Sequence, residues 1–285
     1  MIDPEGRYLA EKYRISYIQS LAVMDIVNKR NYSSNRKPLL GFGGAVYNPI
    51  HYEGELLKNE RQLAQLKKTI YSSGSRSSLR QFYGALGLKW DNLPGTLSEV
   101  QKISEIVPNS EIISGIEVNE ANVKKLSASG QLDKYKVIHF ATHGITIPKA
   151  PELSSLVLSQ LKDDSKEDGY LTIPEISKLT QKADFINLSA CETGLGKIYN
   201  GEGVFGLMHA FMIAGSNSLS VSLWQVDDKA TSIFMQELYR LVQTEKMTYA
   251  NAMTMVKRKF IYGNFGQQYQ DPMFWSAFAY YGRIL

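Results

Sequence analysis

The chain has 285 residues, 44% of them hydrophobic and 21% charged, enough apolar material for the core of one large α/β domain or two small ones. Its 32 basic and 28 acidic residues leave a net charge of +4, and the basic groups Lys67-Lys68, Lys124-Lys125 and Lys257-Arg258-Lys259 are scattered, which excludes the footprint of a direct nucleic-acid binder. A single cysteine excludes an internal disulfide, no signal peptide opens the sequence, and no apolar run reaches the roughly 18 residues that span a bilayer, so the expected setting is soluble, cytoplasmic and away from membranes.

Residues 13–19 alternate as a strand would, and 21–29 reads as a helix. Residues 38–46 form a second strand-like run whose Gly41, Gly43 and Gly44 signal a bend or a close backbone approach. The pattern then loosens: 55–70 is an amphipathic helix candidate, and the serine-rich stretch 72–78 reads as a linker, a surface loop by composition. Thr96-Leu97-Ser98-Glu99 has the spacing of a capping box, with a helix following to about residue 107. A strand at 111–115, a helix capped by Asn119 and a strand ending in His143 come next, the β-α-β order of a parallel sheet with crossover helices. Beyond lie a short strand at 155–159, a polar segment at 162–169 and a helix starting at Thr172-Ile173-Pro174-Glu175. An apolar strand then leads to Cys191, followed by a helix at 203–214, a strand at 218–226, helices at 228–243 and 247–260, and a last strand at 273–281.

Two of these strand ends carry chemistry. Lys136-Val137-Ile138-His139-Phe140-Ala141-Thr142-His143-Gly144 ends in an imidazole, and Ala183-Asp184-Phe185-Ile186-Asn187-Leu188-Ser189-Ala190-Cys191 ends 48 residues later in the only thiol. Reactive groups in open α/β sheets gather where the carboxyl ends of strands meet their loops. Neighbouring parallel strands bring such a pair together, and one Cys beside one His is the minimum for nucleophilic catalysis. Taken alone, Cys191 reads as a small core residue.

Two other readings compete. His139 and His143 lie four apart, a zinc-protease spacing on a helix, but their surroundings are β-prone and no Glu follows the first His, so His139 reads as a hydrogen-bonded core residue. Gly201-Glu202-Gly203-Val204-Phe205-Gly206 matches a dinucleotide-binding fingerprint, with Asp227 and Asp228 where a ribose-binding acid would stand. Ten residues, 191–200, separate it from the preceding strand, whereas the fingerprint needs its first glycine in the tight turn itself.

The segments "HFATHG" and "INLSACETGLG", followed by "NGEGVFGLMHAFMIAGSNSLSVSLWQVDDKAT", resemble the CHAT proteases, caspase-like cysteine peptidases related to separase. "EKYRISYIQSLAVM", "KPLLGFGGAVYNP", "LPGTLSEVQKI" and "FWSAFAYYG" extend the likeness over nearly the whole chain. The resemblance implies a three-layer α/β caspase-like fold with a mostly parallel central sheet, forming one domain over 1–285 with an N-terminal sub-region (1–107) and a catalytic one (108–285). It implies His143 and Cys191 as a catalytic dyad, the amides of Gly144 and Cys191 as oxyanion donors, and no third catalytic residue, metal or organic cofactor. It further implies that Asp228, and less closely Asp227, faces a basic substrate side chain, with Trp224 walling an adjacent pocket. The alternative role of Asp228 is to cap the following helix. The expected function is intracellular cleavage of a protein substrate, in bacterial defence or signalling, switched on by a regulatory protein or a helical-repeat module that the sequence does not contain. The non-enzymatic alternative is a caspase-like scaffold. For the serine-rich stretch around Ser72 the alternative to a plain surface loop is a regulatory or autoprocessing loop, and the sequence does not decide whether it or the polar loop around Asp163 is cut.

Overall fold

Alternation along the central strands sends successive side chains to opposite faces of one sheet. The computed structural model describes residues 1–18, 20–47, 68, 76–147, 150–161, 167–189, 191–192 and 202–283. Its central sheet comprises β1 (Lys37–Gly43), β2 (Glu111–Ser114), β3 (Tyr135–Phe140), β7 (Phe185–Leu188), β9 (Ser218–Ser222) and β10 (Phe278–Gly282), in the order β10-β9-β7-β3-β1-β2. Every neighbouring pair is parallel except β9 with β10. On one face, Leu40, Phe42, Ile138, Phe140, Ile186 and Leu188 pack with Met208 and Phe211 of the Glu202–Ala214 helix. On the other, Leu39, Val137 and Phe185 pack with Ile103 of the Pro94–Ile106 helix, Phe234 and Leu238 of the Asp228–Thr244 helix, and Val256 of the Tyr249–Ile261 helix. The result is the expected three-layer α/β architecture with a mostly parallel central sheet.

A second sheet positions the chemistry. It contains β4 (His143–Ile145), β5 (Ser155–Val157), β6 (Tyr170–Thr172) and β8 (Cys191–Glu192), in the order β6-β5-β4-β8. Both motif strands therefore leave the central sheet and pair again: Phe140 lies opposite Leu188 on β3 and β7, and His143 lies opposite Cys191 on β4 and β8. The offset is 48 residues in both sheets, so the register set in the core carries through the intervening residues.

Close approach of a helix to a neighbouring element needs glycine at two places. A Cβ on Gly43 would stand 2.6 Å from the Thr96 carbonyl, and one on Gly206 would stand 2.5 Å from Ile173 Cδ1. Gly43 lets the Pro94–Ile106 helix lie against the end of β1. Gly206, part of the dinucleotide-like motif, serves packing between helices.

The structure differs from the sequence expectations in several elements. The strand expected at 13–19 is not seen among its described residues, 13–18, where Tyr17 alone bridges to Tyr281 of the edge strand β10. The stretch 72–78 is not wholly linker, because Arg76–Ala85 is helical. The final strand begins at Phe278, since Asp271 Oδ1 accepts from Met273 N and starts a 3-10 turn at Pro272. β6 falls where only the start of a helix was expected, and the helix candidate at 55–70 lies outside the described residues apart from Lys68, as does the segment around Asp163.

Candidate active site

His143 is 5% exposed, lying between Tyr47, whose ring centroid is 4.7 Å away, and Trp90, at 5.4 Å. Its backbone amide donates to Tyr47 Oη at 3.2 Å, and Trp90 is fixed in turn by its Nε1 donating to Tyr170 Oη at 2.8 Å. Imidazole Nε2 stands 2.8 Å from the carbonyl oxygen of Asp91. A carbonyl only accepts, so Nε2 carries the hydrogen and Nδ1 presents its lone pair. Nδ1 is buried and has no hydrogen-bond partner among the described residues. An imidazole held this way is a proton acceptor fixed in orientation and tautomer.

Burial lowers the His143 pKa below its ordinary 6.5, against the upward pull of the Asp91 carbonyl. A folded value below the unfolded one makes His143 stabilising above pH 6.5, and that contribution is lost as pH falls through the folded value. If His143 is the base, the acid limb of kcat/KM falls below pH 6.5. A pH profile with its acid limb above pH 7 would contradict this assignment.

A narrow cleft opens beside His143, lined also by Thr142, Ser189, Gly95, Thr96, Gln225 and three residues with distinct roles: Glu99, Asp228 and Thr231. Ser189 Oγ and Thr231 Oγ1 are buried and, like His143 Nδ1, lack partners among the described residues. Three such atoms on one cleft mark it as a place where polar groups of a ligand can be received. Asp228 is exposed at the mouth. Asp227, not Asp228, caps the following helix, its Oδ1 accepting from Ala230 N at 3.0 Å. Trp224 is outside the cleft lining and donates Nε1 to the Met273 carbonyl at 3.1 Å.

Glu99 was expected in a capping box; instead it is 5% exposed and faces the core. Its Oε1 lies 2.9 Å from His139 Nε2, while His139 Nδ1 lies 3.0 Å from both Asn187 Nδ2 and Tyr239 Oη. Asn187 Oδ1 accepts from Ser220 Oγ, which orients the amide so that Nδ2 donates to His139 Nδ1. His139 Nε2 therefore carries the hydrogen donated to Glu99. Thr96 also does something other than cap with Glu99: its Oγ1 donates to the Leu93 carbonyl and accepts from Gly44 N. His139 is thus a hydrogen-bonded core residue supporting the cleft floor from beneath.

Among the described residues, the acids able to hold a metal are Glu120, Glu167 and Glu175, with ligand atoms within 4.8 Å of one another. The Lys124 ammonium already lies among them, at 2.6 Å from Glu120, 2.6 Å from Glu167 and 2.8 Å from Glu175. Burial disfavours its charge, but the three carboxylates prevail and hold its pKa above the usual range. Lys124 supplies the positive charge that a metal would otherwise bring.

A three-layer α/β domain whose central strands pass a histidine and a cysteine, in register, to a second small sheet beside a polar cleft is an architecture suited to nucleophilic chemistry. The CHAT domain family model matches residues 1–283. The chain belongs to that family, the one its motifs resemble. No curated protein matches it. Among solved structures, it is similar to separase in the Saccharomyces cerevisiae separase–securin complex at 12% identity and a TM-score of 0.49, covering 95% of this chain and 14% of that one. It is also similar to the Arg-specific cysteine proteinase gingipain R at 14% identity and a TM-score of 0.44, covering 92% of this chain and 50% of that one. A complex of Porphyromonas gingivalis RgpB pro- and mature domains matches at 11% identity and a TM-score of 0.44, covering 89% of this chain and 49% of that one. The chain thus spans about one seventh of separase and half of gingipain R. Among the described residues, no helix is long and apolar enough to cross a membrane.

Proposed function

We propose that this chain is a cysteine endopeptidase that cleaves a protein substrate with Cys191 as nucleophile and His143 as base and acid. The observation that carries the reading is the register of β4 and β8, in which His143 and Cys191 are paired, combined with a His143 tautomer that presents a bare Nδ1. In the first half-reaction, His143 Nδ1 takes the thiol proton as Sγ attacks the substrate carbonyl. The amides of Gly144 and Cys191 receive the oxyanion. The proton then passes from His143 to the leaving amine, and an acyl-enzyme remains. Water attacks that thioester with His143 again as base, releasing the acid and restoring the thiol. No metal or organic cofactor enters these steps. A regulatory protein or ligand controls access to the site, as the family resemblance implies.

Asp228 at the cleft mouth and Glu99 at its floor favour a basic residue before the scissile bond. Because Asp228 is exposed, not buried, solvent screens it and its share of the discrimination is modest. Asp227, occupied as a helix cap, and Trp224, anchored to Met273, act on the substrate only by shaping the loop before Asp228.

The test is cleavage of a diverse peptide library by the protein and by Cys191→Ala, each alone and with cell lysate to supply a regulator. Cleavage that disappears in the variant supports the reading; the same products from both proteins contradict it. Asp228→Asn is expected to lower the preference for Lys or Arg over neutral residues about threefold, as for a solvent-screened ion pair. An unchanged preference removes Asp228 from the specificity site.

A further inference from the structure

Away from the cleft, a cavity of about 230 Å³ lies between the N-terminal segment and the sheet edge. Its walls are apolar and aromatic, with Tyr8, Tyr17, Trp275 and Phe278 among them. Lys257, from the Tyr249–Ile261 helix, also lines it and reaches a smaller adjoining hollow beside Tyr13 and Tyr280. Apart from the two tyrosine phenols, Lys257 has the only ionisable side chain among the lining residues. No carboxylate forms a salt bridge with it among the described residues, whereas its neighbours Arg258 and Lys259 are engaged, with the Ala10 carbonyl and Glu237 respectively.

We infer that this cavity binds a small molecule with an apolar body and a carboxylate, the body lying among the aromatic rings and the carboxylate pairing with Lys257. An ammonium without an acid partner in an apolar wall is an uncompensated cost of the folded state, and an entering anion offsets it. Burial alone lowers the Lys257 pKa, to about 8, so the amine remains mainly protonated at neutral pH and is a cation when the ligand arrives. The aromatic walls select for a flat or aliphatic body over a hydrated one.

The cavity also touches the segment that serves the cleft. Leu223 lines it, with its amide donating to the Ala277 carbonyl at 3.0 Å, and Gln225 and Asp228, a few residues on, line the cleft. Ser222 Oγ donates to the Trp224 carbonyl at 2.6 Å, tying the intervening turn to the end of β9. A ligand in the cavity therefore rests on the base of the turn that carries the cleft residues.

The experiment is a calorimetric titration of the whole protein and of Lys257→Met with 4-phenylbutyrate and with its neutral counterpart 4-phenylbutyramide. Methionine keeps an unbranched apolar stem along the wall, and thermal melting of each protein shows whether its fold is kept. The expected result is saturable binding of the acid, at least tenfold tighter than the amide, with that preference abolished in Lys257→Met. Failure of the acid to bind, equal affinity for acid and amide, or a preference that survives in Lys257→Met would overturn the inference. The readout is binding alone, so it stands or falls independently of peptidase activity.

Discussion

His143→Ala is expected to lower kcat/KM for a cleaved peptide by about 10⁴-fold or more, since a nucleophile and its base act as a unit. The side chain removed is the one whose Nε2 is fixed on the Asp91 carbonyl and whose Nδ1 is left to accept a proton. A structural explanation of the same loss is separable. His143→Gln retains an amide hydrogen for the Asp91 carbonyl and much of the packing between Tyr47 and Trp90, yet supplies no base. Both variants should therefore be equally inactive, with Gln melting closer to the parent. Recovery of substantial activity in His143→Gln would show that orientation of the loop, not proton transfer, is what the position provides.

The second large effect concerns Glu99. Glu99→Ala is expected to destabilise the fold by about 3 kcal/mol, because it leaves the His139 Nε2–H unpaired in a core position that is 0% exposed. Glu99→Gln keeps an acceptor for that hydrogen and should lose less than half as much. Urea unfolding of the three proteins measures both. A solvent-facing capping residue would cost about 1 kcal/mol on truncation, and a loss of that size for Glu99→Ala would return Glu99 to that role. Since Glu99 also lines the cleft beside His143, the alanine variant should lose activity along with stability.

The elements that place the chemistry were those most legible in the sequence. β3 and β7 are mostly apolar and almost wholly buried, as a sheet covered on both faces requires, and the segments that follow them carry the imidazole and the thiol. The helix start expected at Thr172-Ile173-Pro174-Glu175 formed there, and the structure closes it with a Thr-x-x-Glu capping box in which Glu175 Oε2 accepts from Thr172 N at 2.9 Å. The same spacing misled at Thr96 and Glu99. There the apposition of the helix against Gly43 turns Glu99 toward His139, and a buried partner outweighs a local cap. Such a pairing across 40 residues leaves no mark in local spacing.

Other parts of the site were less legible. The group that holds His143 is the backbone carbonyl of Asp91, which any residue type offers, so only its placement by the segment that leads into the Pro94–Ile106 helix distinguishes it. The second sheet was legible only in part: β5 lies within the strand expected at 155–159, and β4 and β8 at the strand ends that carry His143 and Cys191, but β6 and the separation of this sheet from the central one were not read, because strands of two or three residues are too short for a period to register. The Tyr17 bridge was read as a strand because alternation of tyrosine and isoleucine resembles one, although only a single residue pairs with Tyr281. In the sequence Lys257 is one of three successive basic residues, with nothing to set it apart from Arg258 and Lys259, and only the folding of the N-terminal segment over it gives it an apolar environment.

With one cysteine in the chain, the rate of alkylation reads the state of Cys191 alone, without a substrate or a regulator. The decisive measurement is the iodoacetamide reaction rate from pH 5 to 9, a range spanning the ordinary imidazole and thiol values of about 6.5 and 8.5, for the protein and for His143→Ala. If His143 accepts the thiol proton, the parent reacts at least tenfold faster than the variant at pH 7, and its profile rises well below that of a free thiol. Identical profiles for the two proteins, both rising at the free-thiol value, would contradict the pairing of His143 with Cys191 on which the proposed activity depends.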